Sequence, residues 1–513
     1  MLSKDGATWT PSAGLRHGLP TIGVVEPPSL NAASGDDKIY DAIVIGAGYA
    51  GLTATRDLAT QGKKTLLLEG RDRLGGRTWH ATINGFNYEL GGTWIHWHMP
   101  HIYREVSLYG LQDDWTVTQI PGSKEDYTTL SSYGAQRKLS KDEEVSIVSR
   151  VWRLFCNVDG DDLRQAWKYP FGTKQSQKLA EWDTWSCKDR LDQIRRQLSV
   201  EELGALESFL QQMGGSSLKK MGFLNALHWW VLGSHTPTGL NDIALHTRLT
   251  SGNSTLHRLM FDHAVSTGNL SYRFQSPVAS VKDAGGIVAV TTRDGVTYKA
   301  KNIICTVPLN VLSSIEFSPE LPQDKQSAMA EGSVNKCNKV HVDLNDPDWI
   351  SWAALGAPGK GLVSAFGDGL TPADNSHLVA FGPDPDSSNG IPLGDPGKIL
   401  DAMRDLLPKE KVDEVIFNRI VYHDWNADEF SKGTWCYLPP GTTTKSLAAL
   451  QRPHGNVLFA SADFSDGWRG WIDGAVQIGT KVAKEVVDVQ AKQQGGSKVN
   501  GSKVNGTIEV DHN

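Results

Sequence analysis

The chain has 513 residues, a length for which we expect two intertwined domains rather than one simple core. Its composition, 39% hydrophobic and 21% charged, is that of a globular protein, and a net charge of −7 without a basic cluster among aromatic residues argues against a nucleic-acid partner. No stretch reaches the ~20 consecutive apolar residues of a membrane span, and the five cysteines show no CxxC spacing, so we expect no membrane anchor, no metal site and no disulfide framework.

The chain opens with an expected irregular arm, followed by a predicted βαβ unit. Residues 1–37 are rich in Gly, Pro and Ser, so we predict no regular structure there. The apolar run at residues 42–45 predicts a buried strand, residues 52–59 predict a helix, and residues 64–68 predict a second strand. A Gly-rich turn joins the first strand to the helix, which is the arrangement of a dinucleotide-binding fold.

The middle of the chain predicts a helical region and then short strands. Residues 120–250 contain amphipathic segments such as residues 201–213, which predict a mainly helical region. From residue 270 to residue 307 apolar and polar residues alternate, with turns at Gly285-Gly286 and Asp294-Gly295, as is typical of strands joined by hairpins. Residues 341–440 form a second mixed region.

The C-terminal part predicts a strand, a helix and a tail. Residues 456–460 predict a buried strand and residues 474–487 predict a helix. Residues 493–513 repeat the sequence GSKVNG and are predicted to be disordered. The N-terminus has no apolar signal-peptide core and the chain does not end in a peroxisomal signal, so we expect an intracellular, cytoplasmic protein.

The first chemical motif is Gly46-Ala47-Gly48-Tyr49-Ala50-Gly51. In such a turn the first Gly permits a tight bend, the second lets the backbone approach a pyrophosphate, and the third lets the helix pack closely on the strand. The helix N-terminus adds free N–H groups and the positive end of the helix dipole. Glu69 ends the second strand about 20 residues later, where such folds bind a ribose hydroxyl. The motif and its context predict a bound dinucleotide.

The second motif distinguishes between NAD and FAD. Glu69 is followed by Gly70-Arg71-Asp72-Arg73-Leu74-Gly75-Gly76-Arg77, in which the paired glycines allow another close backbone approach and Arg77 can donate a charge-assisted hydrogen bond to a phosphate. This stretch resembles the E-x-x-x-x-x-G-G-R sequence of flavin-dependent amine oxidases. The segment Glu89-Leu90-Gly91-Gly92-Thr93-Trp94 is similar to the family's segment that runs along the isoalloxazine ring.

The third motif lies near the C-terminus. Residues 459–463 (FASAD) and 467–476 (GWRGWIDGAV) resemble the family's closing pattern, F-A-G-x-E followed by G-x-x-x-G-A, with Ser461 and Asp463 as departures. In the family the helix that follows directs its N-terminus at the flavin C2 carbonyl, where its dipole stabilises negative charge on the ring. The three motifs carry the resemblance over roughly residues 40 to 490. Within the family the chain is most similar to the fungal monoamine oxidase N group, through residues 91–98 and 227–230.

The resemblance implies an α/β, two-domain fold: a Rossmann-like FAD-binding domain of the para-hydroxybenzoate hydroxylase kind with an inserted substrate domain. We assign residues 38–117, 253–330 and 452–492 to the FAD-binding domain, and residues 118–252 and 331–451 to the substrate-binding domain.

The resemblance also implies the site residues. Lys339 matches the lysine that holds a water against flavin N5, and Trp435 and Trp471 match the two aromatic walls that flank the amine. The expected cofactor-binding residues are Gly46, Gly48, Tyr49, Ala50, Gly51, Glu69, Arg71, Gly76, Arg77, Gly91, Gly92, Thr93, Trp94, Val278, Trp425, Asp463, Ala475 and Val476. The expected substrate-pocket residues are Phe209, Gln212, Met213, Leu245 and Asn335.

These residues predict an FAD-dependent oxidase that converts a primary, or also a secondary, amine and O2 to an imine or aldehyde, ammonia and H2O2. We expect FAD to be held non-covalently, because Thr434 stands where covalent relatives carry the cysteine that tethers the flavin. A polyamine oxidase, which requires acidic pocket residues, an L-amino-acid oxidase, which requires a pocket arginine, a protoporphyrinogen-type desaturase and a flavin-bearing interaction module remain alternatives. Assembly into a homo-oligomer also stays open.

Overall fold

The computed structural model describes residues 1–26, 38–171, 177–357, 359–382 and 390–499, with side chains given as far as residue 493. The strands are β1 (Leu2–Thr10), β2 (Gly14–Pro20), β3 (Ile39–Ile45), β4 (Thr65–Leu68), β5 (His80–Ile83), β6 (Phe86–Glu89), β7 (Trp115–Val117), β8 (Thr128–Ser132), β9 (Ala135–Leu139), β10 (Thr247–Leu249), β11 (Leu270–Arg273), β12 (Val278–Asp283), β13 (Val288–Thr292), β14 (Thr297–Cys305), β15 (Glu316–Ser318), β16 (Asn338–Leu344), β17 (Ala353–Leu355), β18 (Ser364–Leu370), β19 (Ser376–Gly382), β20 (Phe417–Tyr422) and β21 (Val457–Phe459). The α-helices are α1 (Tyr49–Thr60), α2 (Pro100–Leu108), α3 (Lys141–Cys156), α4 (Gln177–Asp183), α5 (Cys187–Ile194), α6 (Val200–Gly214), α7 (Phe223–Leu232), α8 (Pro237–Asn241), α9 (Asn253–Ser266), α10 (Leu309–Leu312), α11 (Gln323–Glu331), α12 (Pro396–Leu406), α13 (Thr443–Gln451) and α14 (Ile472–Val499).

The first of two large sheets has the order β11-β4-β3-β14-β13-β12-β15, with β21 also paired to β14. Its centre is parallel, since β3 pairs in parallel with both β4 and β14. Every residue of β4 is buried, as expected for a strand that is covered on both faces. Helices α9 and α14 pack on α1, and the carboxyl ends of β3 and β4 open toward the site described below.

The second sheet has the order β2-β1-β20-β16-β19-β18-β17-β8-β9. Its central strands β16 and β19 are buried at every residue. On β16 the apolar residues Val340, Val342 and Leu344 share a core with helix α12, so the alternating residues between them face the opposite side. That opposite face contacts the end of β6 and the segment that follows it, through Lys339 and His341.

The N-terminal prediction was wrong. Residues 1–20, expected to be irregular, form the hairpin β1–β2, and β1 extends the second sheet by pairing with β20. The hairpin is stabilised by long-range contacts, because Ala7, Trp9 and Leu15 pack on the core that β16 shares with α12. Residues 27–37 of the expected arm lie outside the described residues.

The C-terminal prediction also needs a correction. Helix α14 begins at Ile472 and continues to Val499, so residues 493–499 are helical rather than disordered, while residues 500–513 lie outside the described residues. Within the part of the chain that the structure describes, no helix has the length and apolarity needed to cross a membrane.

Candidate functional site

The Gly-rich turn between β3 and α1 requires glycine for steric reasons. Gly46 has φ +105°, and a Cβ on Gly51 would lie 1.9 Å from the Gly46 carbonyl oxygen. The carboxylate of Glu69 holds the turn, since it accepts hydrogen bonds from the backbone N–H groups of Ala47 at 2.6 Å and Arg71 at 2.8 Å. No side chain caps the N-terminus of α1 and no acidic residue lies in its first turn. Its N–H groups are therefore available to a phosphate.

The loop of residues 70–77 lies against this turn. Gly75 and Gly76 have positive φ angles, and a Cβ on Gly76 would lie 3.4 Å from the Cα of Gly48. The Arg71 guanidinium forms ion pairs with Asp5 at 3.0 Å and Asp428 at 2.5 Å, but its Nη2 is buried without a hydrogen-bond partner. Such an orphaned donor on a side chain that lines a cavity fits an anionic or hydroxyl-bearing ligand.

Arg77 and Asp463 form an ion pair rather than acting separately. Arg77 donates to the Thr434 carbonyl at 2.7 Å and to Asp463 at 2.8 Å, and Asp463 also accepts the Leu309 N–H at 2.9 Å. Arg77 lines the cavity, whereas Asp463 lies behind it. Asp463, predicted to contact the cofactor, therefore does not face the cavity and instead holds Arg77, which does.

A single cavity runs from the Gly-rich turn to the space between the two sheets. The expected cofactor residues that line it are Gly46, Gly48, Tyr49, Ala50, Glu69, Arg71, Gly76, Arg77, Gly91, Gly92, Thr93, Trp94, Val278, Trp425 and Ala475. Gly51 and Val476 do not line it; Gly51 allows the close packing of α1, and Val476 is buried in the core. The Trp425 indole donates to the Leu90 carbonyl at 2.8 Å, and a Cβ on Gly91 would lie 2.9 Å from that ring.

Helix α14 begins at the edge of the cavity. Trp471, Ile472 and Ala475 line it, so the N-terminal end of the helix faces the enclosed space. The Asp473 carboxylate lies on the other side of this turn, where it accepts the N–H groups of His101 at 2.7 Å and Ile102 at 2.8 Å. The side chain therefore caps α2 and leaves the first turn of α14 open to the cavity.

Lys339 is buried on β16 and lines the cavity. Its Nζ donates to the carbonyls of Glu89 at 2.7 Å and Gly91 at 3.1 Å, contacts Thr93 Oγ1 at 2.5 Å and lies 4.8 Å from the centre of the Trp94 ring. Burial lowers the pKa of Lys339 to about 7, although the charge of Glu89 acts in the opposite direction. Lys339 is therefore not a solvated surface lysine.

A stripe of polar groups continues from Lys339 along the same face of β16. His341 Nε2 lies 2.9 Å from the Glu89 carbonyl that Lys339 also contacts, and His341 Nδ1 lies 3.0 Å from His377 Nε2. His377 Nδ1 lies 2.9 Å from Asp343, whose other oxygen accepts the Tyr88 hydroxyl at 2.5 Å. All of these side chains are buried, so the stripe is a closed hydrogen-bond network inside the molecule.

Trp435 and Trp471 both line the cavity. The Trp435 indole donates to the Met213 carbonyl at 2.8 Å, which fixes the orientation of the ring. Trp471 packs against Trp229 at 4.7 Å and Trp468 at 5.7 Å between ring centres, and its Nε1 is buried without a partner. The structure thus brings the two predicted aromatic walls to one enclosed space.

Four of the five expected pocket residues, Phe209, Gln212, Met213 and Leu245, line the cavity, and Asn335 does not. The placement of Asn335 in the pocket was wrong. Its side chain is fully buried, accepts the Cys337 N–H at 2.9 Å and so shapes the turn before β16, while its carbonyl accepts the Thr434 N–H at 3.2 Å. Asn335 therefore supports the segment that presents Trp435.

Sequence reasoning missed several aromatic lining residues, notably Trp152, Trp229 and Phe381. Trp229 lies on α7 in a segment that the sequence had singled out, but its contact with Trp471 joins residues far apart in the chain. Phe381 lies opposite Lys339 in the register of β16 and β19, a pairing that no local pattern reveals.

The five cysteines are free and buried. Thr434 lines the cavity, whereas Cys436 does not. Burial raises the pKa of the Cys436 thiol, and its Sγ lies 3.9 Å from the Asp463 carbonyl. A thiol in this position is a poor nucleophile.

Comparison with known proteins places this geometry in context. The sequence profile described as "Flavin containing amine oxidoreductase" matches residues 49–487. A pseudooxynicotine dehydrogenase of Pseudomonas sp is 32% identical over 452 residues, which cover 87% of this chain and 86% of that protein. A nicotine dehydrogenase of Pseudomonas putida is 29% identical over 483 residues, 91% of this chain and 94% of that protein. A solved triple mutant of putrescine oxidase is similar in fold, with a TM-score of 0.73 at 21% identity, covering 88% of this chain and 99% of that chain.

Proposed function

Since the chain belongs to the flavin-containing amine oxidoreductase family and carries out FAD-dependent amine oxidation, we propose that its substrate is a neutral, largely apolar monoamine. This amine would be held between Trp435 and Trp471. We also propose that O2 is the electron acceptor and that the pocket is of the fungal monoamine oxidase N kind. The products are then the imine, which water hydrolyses to aldehyde and ammonia, and H2O2.

FAD is the cofactor, and the residues of the cavity fit it. We propose that Gly46, Gly48, the first turn of α1 and the free Nη2 of Arg71 hold its phosphates and ribose, with Glu69 at the Gly-rich turn. When bound, FAD supplies the two-electron chemistry by taking a hydride equivalent from the α-carbon of the amine. We propose that the segment from Gly91 to Trp94 and the N-terminus of α14, which line the same cavity, would face the ring of FAD.

The observation that carries the proposed substrate is that no carboxylate and no arginine is found among the described residues on the substrate side. Apart from Lys339, the cross-strand neighbour of Phe381, the described residues that line this side of the cavity are uncharged: Val148, Trp152, Phe209, Gln212, Met213, Trp229, Pro237, Leu240, Asn241, Ala244, Leu245, Phe381, Trp435 and Trp471. A remote second ammonium would require a carboxylate here, and an α-carboxylate would require an arginine. A monoamine without either group therefore fits best.

The two tryptophans orient the amine and exclude water. An apolar wall disfavours a charged ammonium, so the substrate binds as the neutral amine, whose nitrogen lone pair is then free to assist loss of hydride from the α-carbon. The hydrogen bond from Trp435 to Met213 and the packing of Trp471 on Trp229 hold both rings before substrate arrives. Such preorganisation lowers the cost of placing the α-carbon correctly.

We propose that Lys339 accepts a proton beside the cofactor and can return it. With a pKa lowered to about 7 by burial, its Nζ is neutral in a large fraction of molecules near neutral pH and has a lone pair that can take a proton from a neighbouring water. The contacts to Glu89, Gly91 and Thr93 use all three N–H donors of the protonated form, whereas the neutral form, with two N–H groups, keeps two of these contacts and leaves a lone pair.

We propose that FAD is held non-covalently. Thr434, not a cysteine, lines the cavity ahead of Trp435, and Cys436 lies outside the lining with its thiol protonated. A threonine hydroxyl at neutral pH is far less nucleophilic than a thiolate.

A peroxide assay over a substrate panel tests the proposed function. The panel contains an aromatic primary amine, an aliphatic primary amine, a secondary amine, a diamine and an L-amino acid, each assayed in air and, without O2, with a soluble dye as acceptor. We expect peroxide formation with apolar monoamines and little turnover of the diamine or the amino acid. Turnover with the dye but not with O2 would support the proposed amine substrate and refute O2 as the electron acceptor. This outcome is worth testing because two relatives are named dehydrogenases. Preference for the diamine or amino acid would refute the substrate class.

A further inference from the structure

Residues 3–5 of the N-terminal hairpin contact residues 71–73, in the loop that lies against the Gly-rich turn. Ser3 Oγ donates to the Asp72 carboxylate at 2.7 Å, and the Lys4 backbone N–H donates to its other oxygen at 2.8 Å. The Asp5 carboxylate accepts from Arg71 Nη1 at 3.0 Å and from Arg73 Nε at 2.8 Å. Three successive hairpin residues thus contact three successive residues of the loop that lies against the Gly-rich turn.

A bulge in β1 directs Asp5 at this loop. The pairing of β1 with β2 shifts register between Ser3 and Ala7, and within the bulge Gly6 has φ +75° with its Cβ position 2.5 Å from a Leu19 methyl. Bulges of this kind redirect a side chain away from the regular alternation of a strand. Asp5 therefore points out of the second sheet toward residues 71–73, although β1 belongs to that sheet.

Asp5 and Asp428 are paired with two buried arginines. Arg71 and Arg73 are buried, and their positive charges face the carboxylates of Asp5 and Asp428, with the neutral ring of His423 bonded to Asp428 at 2.7 Å. Burial lowers the pKa of His423, which keeps its ring neutral. Although Asp5, His423 and Asp428 are close enough together for a metal ion, the two guanidinium groups already neutralise this cluster.

Asp5 acts on the cavity through both arginines. Arg71 lines the cavity and keeps one buried nitrogen, Nη2, without a protein partner. Arg73 Nη1 donates to the carbonyl of Gly76 at 3.0 Å, and Gly76 faces Gly48 of the Gly-rich turn. One oxygen of Asp5 thus holds Arg71, whose Nη2 is free for the cofactor, and, through Arg73, holds Gly76 beside the Gly-rich turn.

We propose that Asp5 is a positioning residue for FAD and that the N-terminal hairpin retains the cofactor by holding Arg71 in its cavity-facing orientation. Because β1 pairs with β20 of the second sheet, the contact of Asp5 with Arg71 also connects the second sheet to the loop of residues 70–77. The proposal rests on non-covalent FAD, which release of flavin on acid precipitation tests first and separately.

The test measures the dissociation constant of FAD for the full chain by flavin fluorescence. We expect Asp5→Asn to weaken FAD binding by about tenfold or more, since a charge-assisted contact is lost, and Asp5→Glu to restore most of the affinity. Asp262→Asn is the matched control, because it removes an aspartate from the exposed Arg258 pair on α9 and should leave the constant unchanged.

A double-mutant cycle separates positioning from general stability. In an Arg71→Met background, Asp5→Asn should weaken FAD binding by a clearly smaller factor than in the parent, because its main route to the cofactor has been removed. An equal factor in both backgrounds, or a parental constant for Asp5→Asn alone, would overturn the proposal. If Asp5→Asn alone does not fold, the double variant, in which both charges of the pair are removed, is compared with Arg71→Met. Equal FAD binding by these two variants, weaker than that of the parent, supports the proposal, whereas clearly weaker binding by the double variant, or parental binding by both, overturns it.

Discussion

Replacing Lys339 with methionine should remove a pH dependence from the stability of the FAD-free chain. Burial lowers the pKa of Lys339 from 10.5 to about 7, so between these values the unfolded chain binds a proton that the folded chain does not. Stability contributed by this group therefore rises as pH rises from 7 toward 10.5 and falls as pH drops. Integrated from about pH 7 to about pH 10, the effect on the free energy of unfolding is about 3 kcal/mol.

The assay is urea unfolding of the parent and Lys339→Met chains, freed of FAD, at a series of pH values. Groups away from Lys339 titrate equally in both chains, so the difference between the two unfolding free energies reports Lys339 together with the two groups on which its charge acts, Glu89 and His341. That difference should move by about 3 kcal/mol in favour of the parent as pH rises to about 10. The exposed Lys484, replaced in the same way, serves as the control for the loss of a lysine at the surface. A Lys339 difference that stays constant within about 1 kcal/mol would refute the assignment of a buried amine with a lowered pKa.

The remaining predictions concern the cavity. Lys339→Met should keep FAD bound but slow flavin reduction, reoxidation or both, and unchanged stopped-flow traces in both half-reactions would remove Lys339 from the mechanism. Trp435→Ala and Trp471→Ala should each lower kcat/KM by about tenfold or more, because each removes one wall, while the same change at the half-exposed Trp115 should not. Asn335→Ala should lower the free energy of unfolding by about 1–3 kcal/mol by leaving the Cys337 N–H unpaired, and a KM equal to that of the parent would show that Trp435 does not depend on it. Acid precipitation should leave yellow flavin in the supernatant, whereas flavin fluorescence migrating with the denatured chain on a gel would contradict non-covalent binding.

The dinucleotide motif was predictable because its chemistry is local. Gly46, Gly48 and Gly51 occupy one strand–turn–helix unit, and the steric reasons for glycine act between neighbours in the chain. Helix α1 accordingly lies where the pattern predicted it, although it begins three residues earlier, at Tyr49. The hairpin β1–β2 was missed because its sheet partner, β20, lies about 400 residues away and no local pattern encodes that pairing.

The environment of Lys339 could not be predicted for a related reason. The sequence Lys339-Val340-His341-Val342-Asp343 alternates polar and apolar residues, which is the pattern of a strand with one face in water. In the structure the polar face is instead covered by the segment around Glu89, and the whole strand is buried. Distant contacts also explain why the prediction for Asn335 was wrong. The family resemblance placed its side chain in the pocket, whereas in the structure Asn335 lies behind the cavity wall and contacts Cys337 and Thr434.

The hydrogen bonds of the polar stripe on β16 also determine which nitrogen atoms of His341 and His377 carry protons. A carbonyl oxygen only accepts, so His341 must carry its proton on Nε2 to bond Glu89. Burial lowers the pKa of His341 well below its usual range, so its ring is neutral and its Nδ1 accepts from the Nε2–H of His377. His377 Nδ1 in turn lies 2.9 Å from Asp343, whose other oxygen accepts the Tyr88 hydroxyl and lies 3.6 Å from Arg419 Nε. The buried stripe behind Lys339 thus ends at a cation on its outer side.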